Sequence, residues 1–159
     1  ALQTDPNYVY GVQLRAGGLS YVGRAQYLNG QSGQARETLD KPVAQDPNDH
    51  VARLYLGLTL ARQNDRARSA KEIAAGMKGI DDLVNYVRTT FSTSFGQYWD
   101  QNRSIRNPIE KDLKMIASGN IDWPQLISDG ELVGKKIEAE PELARQQEKQ
   151  QLEDMNRQR

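Results

Sequence analysis

The chain has 159 residues, with 21 Lys plus Arg against 21 Asp plus Glu, a single His and no Cys. That length supports one domain with a sizeable core and excludes two large domains joined by a linker. Zero net charge argues against an obligatory polyanionic partner such as nucleic acid. The missing cysteines exclude disulfides, thiolate metal ligands and thiol nucleophiles, and no run reaches the ~18 to 20 apolar residues of a membrane-spanning helix.

Apolar positions recur every three or four residues through most of the chain and almost nowhere alternate, so the expectation is an all-α fold. The first helix is expected to run from Tyr8 or Leu14 to Leu28. Asn29, Gly30 and Gly33 break it, and a short second helix carries Ala35 and Leu39 until Pro42 kinks or ends it by removing a donor. Asp46-Pro47-Asn48 reads as a turn, with Asn48 or Asp49 capping a third helix that reaches about Gln63. On this third helix Val51, Leu54, Tyr55, Leu56, Leu58 and Leu60 cover more of the circumference than one core stripe requires. The fourth helix is the longest periodic segment, with Ile73, Met77, Ile80, Val84, Val87 and Phe91 on one face, and Gly76 and Gly79 suited to close helix packing.

The stretch STSFGQYWDQ is irregular but carries Phe95, Tyr98 and Trp99. Asn107, Pro108 and Glu110 then read as a cap, a proline at the first helical position and a reciprocal acid, with Ile109, Leu113 and Ile116 as the buried stripe and Gly119 as the stop. Asp122 and Gln125 repeat that start signal, with Ile121 and Leu126 stapled across it. The helix that follows carries Leu132, Val133 and Ile137, and Pro141 is expected to interrupt it. The tail EPELARQQEKQQLEDMNRQR forms helix readily but has only Leu143, Leu152 and Met155 to bury, so it is expected to be exposed or to need a partner. The whole divides into residues 1–103, a repeat region ending in the long fourth helix, and residues 104–159, a helical hairpin with a charged tail that caps it. Trp123 is expected to cover the end of that hairpin.

One internal offset stands out. Leu19, Val22, Gly23, Gly30, Ala35, Leu39 and Pro47 align with Arg53, Leu56, Gly57, Asn64, Ser69, Ile73 and Asp81, each 34 residues later. Small residues at Gly23 and Gly57 let the helices of each hairpin approach, while Leu39 and Ile73 fill the groove between them. Over residues 16–82 this resembles the tetratricopeptide repeat (TPR), in which helix-turn-helix units stack into an α-solenoid. The pattern departs from the family in lacking the large aromatic at Leu19 and Arg53, in placing Pro42 at a small-residue position, and in ending on Asp81 rather than proline. Asp5-Pro6-Asn7 echoes Asp46-Pro47-Asn48 at a separation of 41 instead. The resemblance implies a short α-solenoid capped by the C-terminal helices. It also implies a concave groove lined by the first helix of each unit, here Gly17, Ser20, Arg24, Tyr27 and Leu28, then Val51, Leu54, Leu58, Ala61 and Arg62.

Arg24, Tyr27, Leu28, Val51, Leu54, Leu58 and Arg62 are therefore the candidate partner-binding residues. An apolar row of this kind faces either a ligand segment or the protein's own C-terminal helix. The functional expectation is a non-enzymatic interaction or scaffolding module that takes a protein or peptide segment in the groove; the alternative is self-assembly, with another subunit completing the short array. His50 reads as a solvated or turn-packing residue, and no serine sits on a nucleophile elbow. The pairs Asp81 with Asp82 and Glu138 with Glu142 read as solvated helix faces, and no phosphate-binding or metal motif is present, so no cofactor is expected. Arg62, Arg66, Arg68 and Lys71 form the densest basic patch and read as surface charge balanced by Asp65 and Glu72. The chain begins at Ala1 rather than Met; a periplasmic or secreted location is expected if an export signal has been removed, and a cytoplasmic one otherwise.

Overall fold

The computed structural model describes residues 17–159 in full, together with the backbone of Tyr8–Val9 and Val12–Gln13, which pair as a two-residue antiparallel ladder. The described residues form six α-helices: α1 Gly18–Leu28, α2 Ser32–Gln45, α3 His50–Arg62, α4 Arg66–Thr90, α5 Arg106–Ser118 and α6 Trp123–Arg157. A 3-10 turn at Phe95–Tyr98 joins α4 to α5. The fold is all-helical as the apolar periodicity requires, but α1 starts at Gly18 and does not reach back to Tyr8. The earlier Asp5-Pro6-Asn7 turn and Leu14 lie outside the described residues.

Helices α1 to α4 form two consecutive hairpins that repeat one contact. A Cβ added to Gly23 of α1 would lie 2.4 Å from Leu39 Cγ of α2, and one added to Gly57 of α3 would lie 2.6 Å from Ile73 Cγ1 of α4. Ala35 and Ser69, which open the second helix of each hairpin, are both fully buried, and the Ser69 hydroxyl donates to the Gly57 carbonyl at 2.7 Å. Gly76 brings α4 so close to α3 that a side chain there would meet the Leu54 backbone nitrogen at 2.7 Å, and Gly79 packs under the His50 ring. His50 is thus a packing residue, and its burial pulls its pKa below the ordinary histidine value.

Capping explains where the helices begin. The Asp49 carboxylate accepts from Ala52 N–H at 3.0 Å to start α3, and Asp122 accepts from Gln125 N–H at 3.1 Å to start α6. Gly119, at φ 76, adopts the left-handed conformation that ends α5.

Three sequence expectations are overturned. Pro42 and Pro141 do not end their helices. Pro42 is buried in the last turn of α2, where little helix remains to be disturbed. Pro141 lies far inside α6, whose face on either side is anchored by buried Ile137 and Ala144; that packing offsets the ~3 kcal/mol an interior proline costs. Nor does Asn107 cap α5, which begins one residue earlier. Asp100, buried and at φ 43, accepts from Ile105 N–H at 2.8 Å and from Arg106 N–H at 3.1 Å. Asn107 and Glu110 instead accept from the Arg103 guanidinium.

The α5 face is also rotated relative to the expected stripe. Arg106, Ile109 and Asp112 turn inward, while Leu113 and Ile116 are half-buried. Helix α5 lies on α4, and α6 on both α3 and α5. A single core cluster runs from Tyr27 to Ala144 and takes in Trp99 and Ile105.

Trp99 is fully buried whereas Trp123 is half-buried, with the Arg66 guanidinium 5.4 Å from its ring centroid. Trp99→Ala is therefore expected to cost ~3 to 5 kcal/mol, and Trp123→Ala well under half as much. Urea titrations of the two variants should separate their midpoints in that order.

Candidate functional site

Arg24 and Tyr27 of α1 and Leu54, Leu58 and Arg62 of α3 all meet α6, which lies along both helices. Tyr27, Leu54 and Leu58 are fully buried and Val51 nearly so, while Leu28 is 55% exposed and stands outside the row. Of the flanking positions, Gly17 is exposed, Ala61 is buried, and the buried Ser20 hydroxyl donates to Asp49 at 2.5 Å.

Two glycines of α6 make its approach possible. A Cβ on Gly130 would come within 2.8 Å of Leu58 Cδ2, and one on Gly134 within 2.7 Å of the Tyr55 hydroxyl. As α6 advances from Gly130 to Glu138, its partners run backwards from Leu58 to Tyr55 on α3, and from Tyr27 to Arg24 on α1. It therefore lies antiparallel to both.

Polar contacts fix this register. Arg62 donates to Glu131 Oε1 at 2.9 Å and to the Tyr27 carbonyl at 3.0 Å, with its guanidinium 3.8 Å above the Tyr27 ring. The Tyr27 hydroxyl donates to the same Glu131 oxygen at 2.6 Å, and Arg24 pairs with Glu138 at 2.5 Å. Burial, reinforced by the Glu131 carboxylate, pushes the Tyr27 phenol well above its ordinary range. Burial also raises Glu138, against the opposing pull of Arg24. Both cations that the row offers a partner are thus engaged by acids of α6.

In the basic patch near the α3–α4 turn, Arg68 bonds Asp40 at 2.6 Å and Arg66 lies over Trp123, while Lys71 is exposed; Asp65 and Glu72, expected to balance the patch, pair instead with Arg36 and Arg53. The carboxylates singled out in the sequence have local partners, Asp82 with Lys78, Asp81 with Asn85, and Glu142 with Arg145.

A carboxylate pair that sequence reasoning missed lies between α5 and α6. Asp112 is fully buried and neither of its oxygens accepts a hydrogen bond, while Asp129 accepts from Lys111 and, at 2.9 Å, from Gln125. Burial first, and the neighbouring Asp129 charge second, raise Asp112 to about 7, with Lys111 opposing. The sequence signal was available: Asp112 falls between Ile109 and Leu113, on the inward side of the helix.

The second surface of interest is the far end of α6. Ala144 is its last buried residue; beyond it Glu148 is half-buried and every other residue to Arg159 is exposed. This extension carries its own ion pairs, Lys149 with Glu153 at 3.9 Å and Arg157 with Asp154 at 3.7 Å. At its root a cleft of about 390 Å³ opens between α6 and the segment 98–104, lined by Tyr98, Ser104, Leu132, Lys136, Ala139 and Leu143.

Among the described residues no helix is long and apolar enough to cross a membrane, and no three His, Cys, Asp or Glu side chains are grouped as metal ligands. Comparison with protein-family models, with curated proteins and with solved structures finds no match to the chain.

Two measurements probe these contacts. Asp112, raised above its ordinary value of 3.8 to about 7, keeps in the folded state a proton that the unfolded chain releases. Its stabilising contribution is complete in acid, declines as pH rises from 3.8, and is gone above about 7. Melting temperature is expected to fall across this window, and Asp112→Asn, which can donate to Asp129 at every pH, is expected to reduce that slope and raise the melting temperature at pH ~8. Gly134→Val is expected to cost ~1 to 3 kcal/mol, because Tyr55, packed 5.7 Å from Tyr27, cannot yield. Amide exchange should then accelerate along α6, whereas Gly33→Ala, which meets nothing within 4 Å, should leave it unchanged.

Proposed function

We propose that this chain is a non-enzymatic protein-interaction scaffold built on two TPR-like hairpins. Its concave row is satisfied in cis by α6, and the free extension of α6 is the element offered to a protein partner. The repeated contact of Gly23 with Leu39 and Gly57 with Ile73, at the 34-residue offset, supports the repeat reading.

The burial of α6 weighs against a groove open to peptides. Leu126, Val133 and Ile137 of α6 are each fully buried, and at ~1.5 to 3 kcal/mol per large aliphatic side chain they contribute roughly 5 to 9 kcal/mol. A free peptide that displaced α6 would have to replace that burial and also lose the translational and rotational freedom that a covalently tethered helix does not lose again. The row is therefore part of the core, and partners are directed to what α6 leaves uncovered.

The observation that carries the reading is one continuous helix, Trp123–Arg157, with its first part locked into the core and its last part clear of it. Rigid anchoring lowers the entropy lost when a partner packs on the free end. A photo-crosslinking residue placed at Gln147 or Gln150 is expected to give discrete covalent adducts in the native host, and the same residue at Gln63, beside α3, none. Absence of adducts from the α6 positions sinks the proposal.

A further inference from the structure

The second half of α5 is docked by an aspartate. Beyond Ile109, Asp112 is the one residue of this helix that is buried; Leu113, Met115 and Ile116 are half-buried, and Lys114, Ala117 and Ser118 are exposed. The first turn is pinned differently, by Asp100, which accepts from the Ile105 and Arg106 N–H groups and from the Arg106 guanidinium. At the far end the chain leaves through exposed Gly119 and Asn120, and the Asp122 N–H reaches the Met115 sulfur, a weak acceptor, at 3.4 Å. Few buried apolar groups thus hold this half of the helix, which is the condition for opening apart from the rest of a fold.

The charges around Asp112 do not balance when it is ionised. It faces Asp129 across the α5–α6 contact, and the two carboxyl groups share one ammonium. That ammonium, Lys111 Nζ, bonds Asp129 and stops 4.0 Å short of Asp112 Oδ1. Gln125 also gives its donor to Asp129, and neither Asp112 oxygen accepts a hydrogen bond. Other charges nearby are engaged elsewhere. Asp122 acts on Lys111, the Asp81 of α4 faces Arg106 and Glu110 of α5, Arg66 of α4 lies over Trp123, and Arg62 of α3 is held by Glu131. None of these supplies Asp112 with a cation. A carboxylate buried without a partner is strongly disfavoured, whereas the acid form is neutral and can donate its O–H to Asp129. Closed, the pair therefore holds one proton; opened to water, Asp112 loses it near the ordinary carboxylate value.

We propose that Asp112 and Asp129 form a proton-operated latch, which holds the second half of α5 closed on α6 while the pair keeps its proton and lets it swing free when that proton leaves. This device is independent of the scaffold reading. It is also local: α5 opens while α3 and its neighbours stay folded, unlike the overall loss of stability with pH derived above. Asp112 stands at about 7 in the closed state and near its ordinary 3.8 in the open one. The open fraction therefore rises by up to about tenfold per pH unit between those values and levels off above them. Raised pH opens the latch, and acid closes it.

Amide exchange resolved by residue in the full chain, corrected for the intrinsic pH dependence of exchange, tests the latch. From about pH 5 to 7 the protection of residues 114–118 is expected to fall by about tenfold per unit. At every pH it is expected to lie below that of residues 56–60 in α3, which exchange only on global unfolding. D112N keeps the shape and the donor but has no proton to lose, so it is expected to flatten the α5 profile at its acid-side level. The Asp112 carboxyl carbon of the wild-type chain is expected to titrate well above 3.8. Equal protection of the two segments at every pH overturns the latch, because α5 then opens only with the whole fold. An α5 profile that does not change with pH, or that D112N leaves unaltered, overturns it as well. Should D112N fail to fold, the comparison of the two segments within the wild-type chain still decides.

Discussion

Everything in this fold is arranged around the burial of α3. From Val51 to Ala61 only Arg53 reaches solvent appreciably; the rest of the helix is apolar or small and buried. A helix apolar on all sides is stable only inside a layer of neighbours, and here each neighbour comes close where one partner lacks a side chain. Gly57 admits Ile73, Gly76 admits the Leu54 backbone, and Gly130 and Gly134 admit Leu58 and Tyr55. Two hairpins alone leave one side of α3 bare. Helix α6 supplies the missing wall, so the C-terminal segment is part of the core that the hairpins require.

The polar contacts around this core set direction more than they supply energy. The pairs of Arg62 with Glu131 and Arg24 with Glu138 are partly exposed, a setting in which ion pairs contribute modestly. An α6 rotated or shifted along the row would, however, strand the Tyr27 hydroxyl and two cations against apolar surface. Asp100 does the same for the turn into α5. It gathers two backbone amides and the Arg106 guanidinium, while its own N–H is held by the buried Glu140 of α6 at 2.5 Å. A single contact thus ties the cap of one helix to the position of another. Burial raises Glu140, and the Asp100 amide opposes that rise.

These constraints shape the functional reading. A row on α1 and α3 covered by its own chain leaves the outward side of α6 and its free extension as surface, and that surface carries charges of both signs. Glu138, Glu140 and Asp129 each hold a neighbouring element in place.

Much of this was legible in the sequence because it is written locally. The all-helical class follows from three- and four-residue periodicity, the starts of α3 and α6 from Asp49 and Asp122, the stop of α5 from Gly119, and the paired hairpin contacts from small residues repeating at a fixed offset. The excess apolar arc of α3 was also visible, as was the choice between a ligand and the protein's own C-terminal helix. Tertiary structure alone decided what local rules cannot see. Pro141 stays helical because packing outweighs the loss of one hydrogen bond, and Pro42 because it falls in the last turn of α2. The α5 start is set by Asp100, a residue six positions before Arg106, and not by the cap written beside it. The arc of α3 is filled by α6 because Gly130 and Gly134 sit opposite Leu58 and Tyr55 only once the chain has folded back. The fit of α6 on α3 and the continuity of α6 through Pro141 turn on contacts between residues distant in the chain, where the energy of burial exceeds the local preference it overrides.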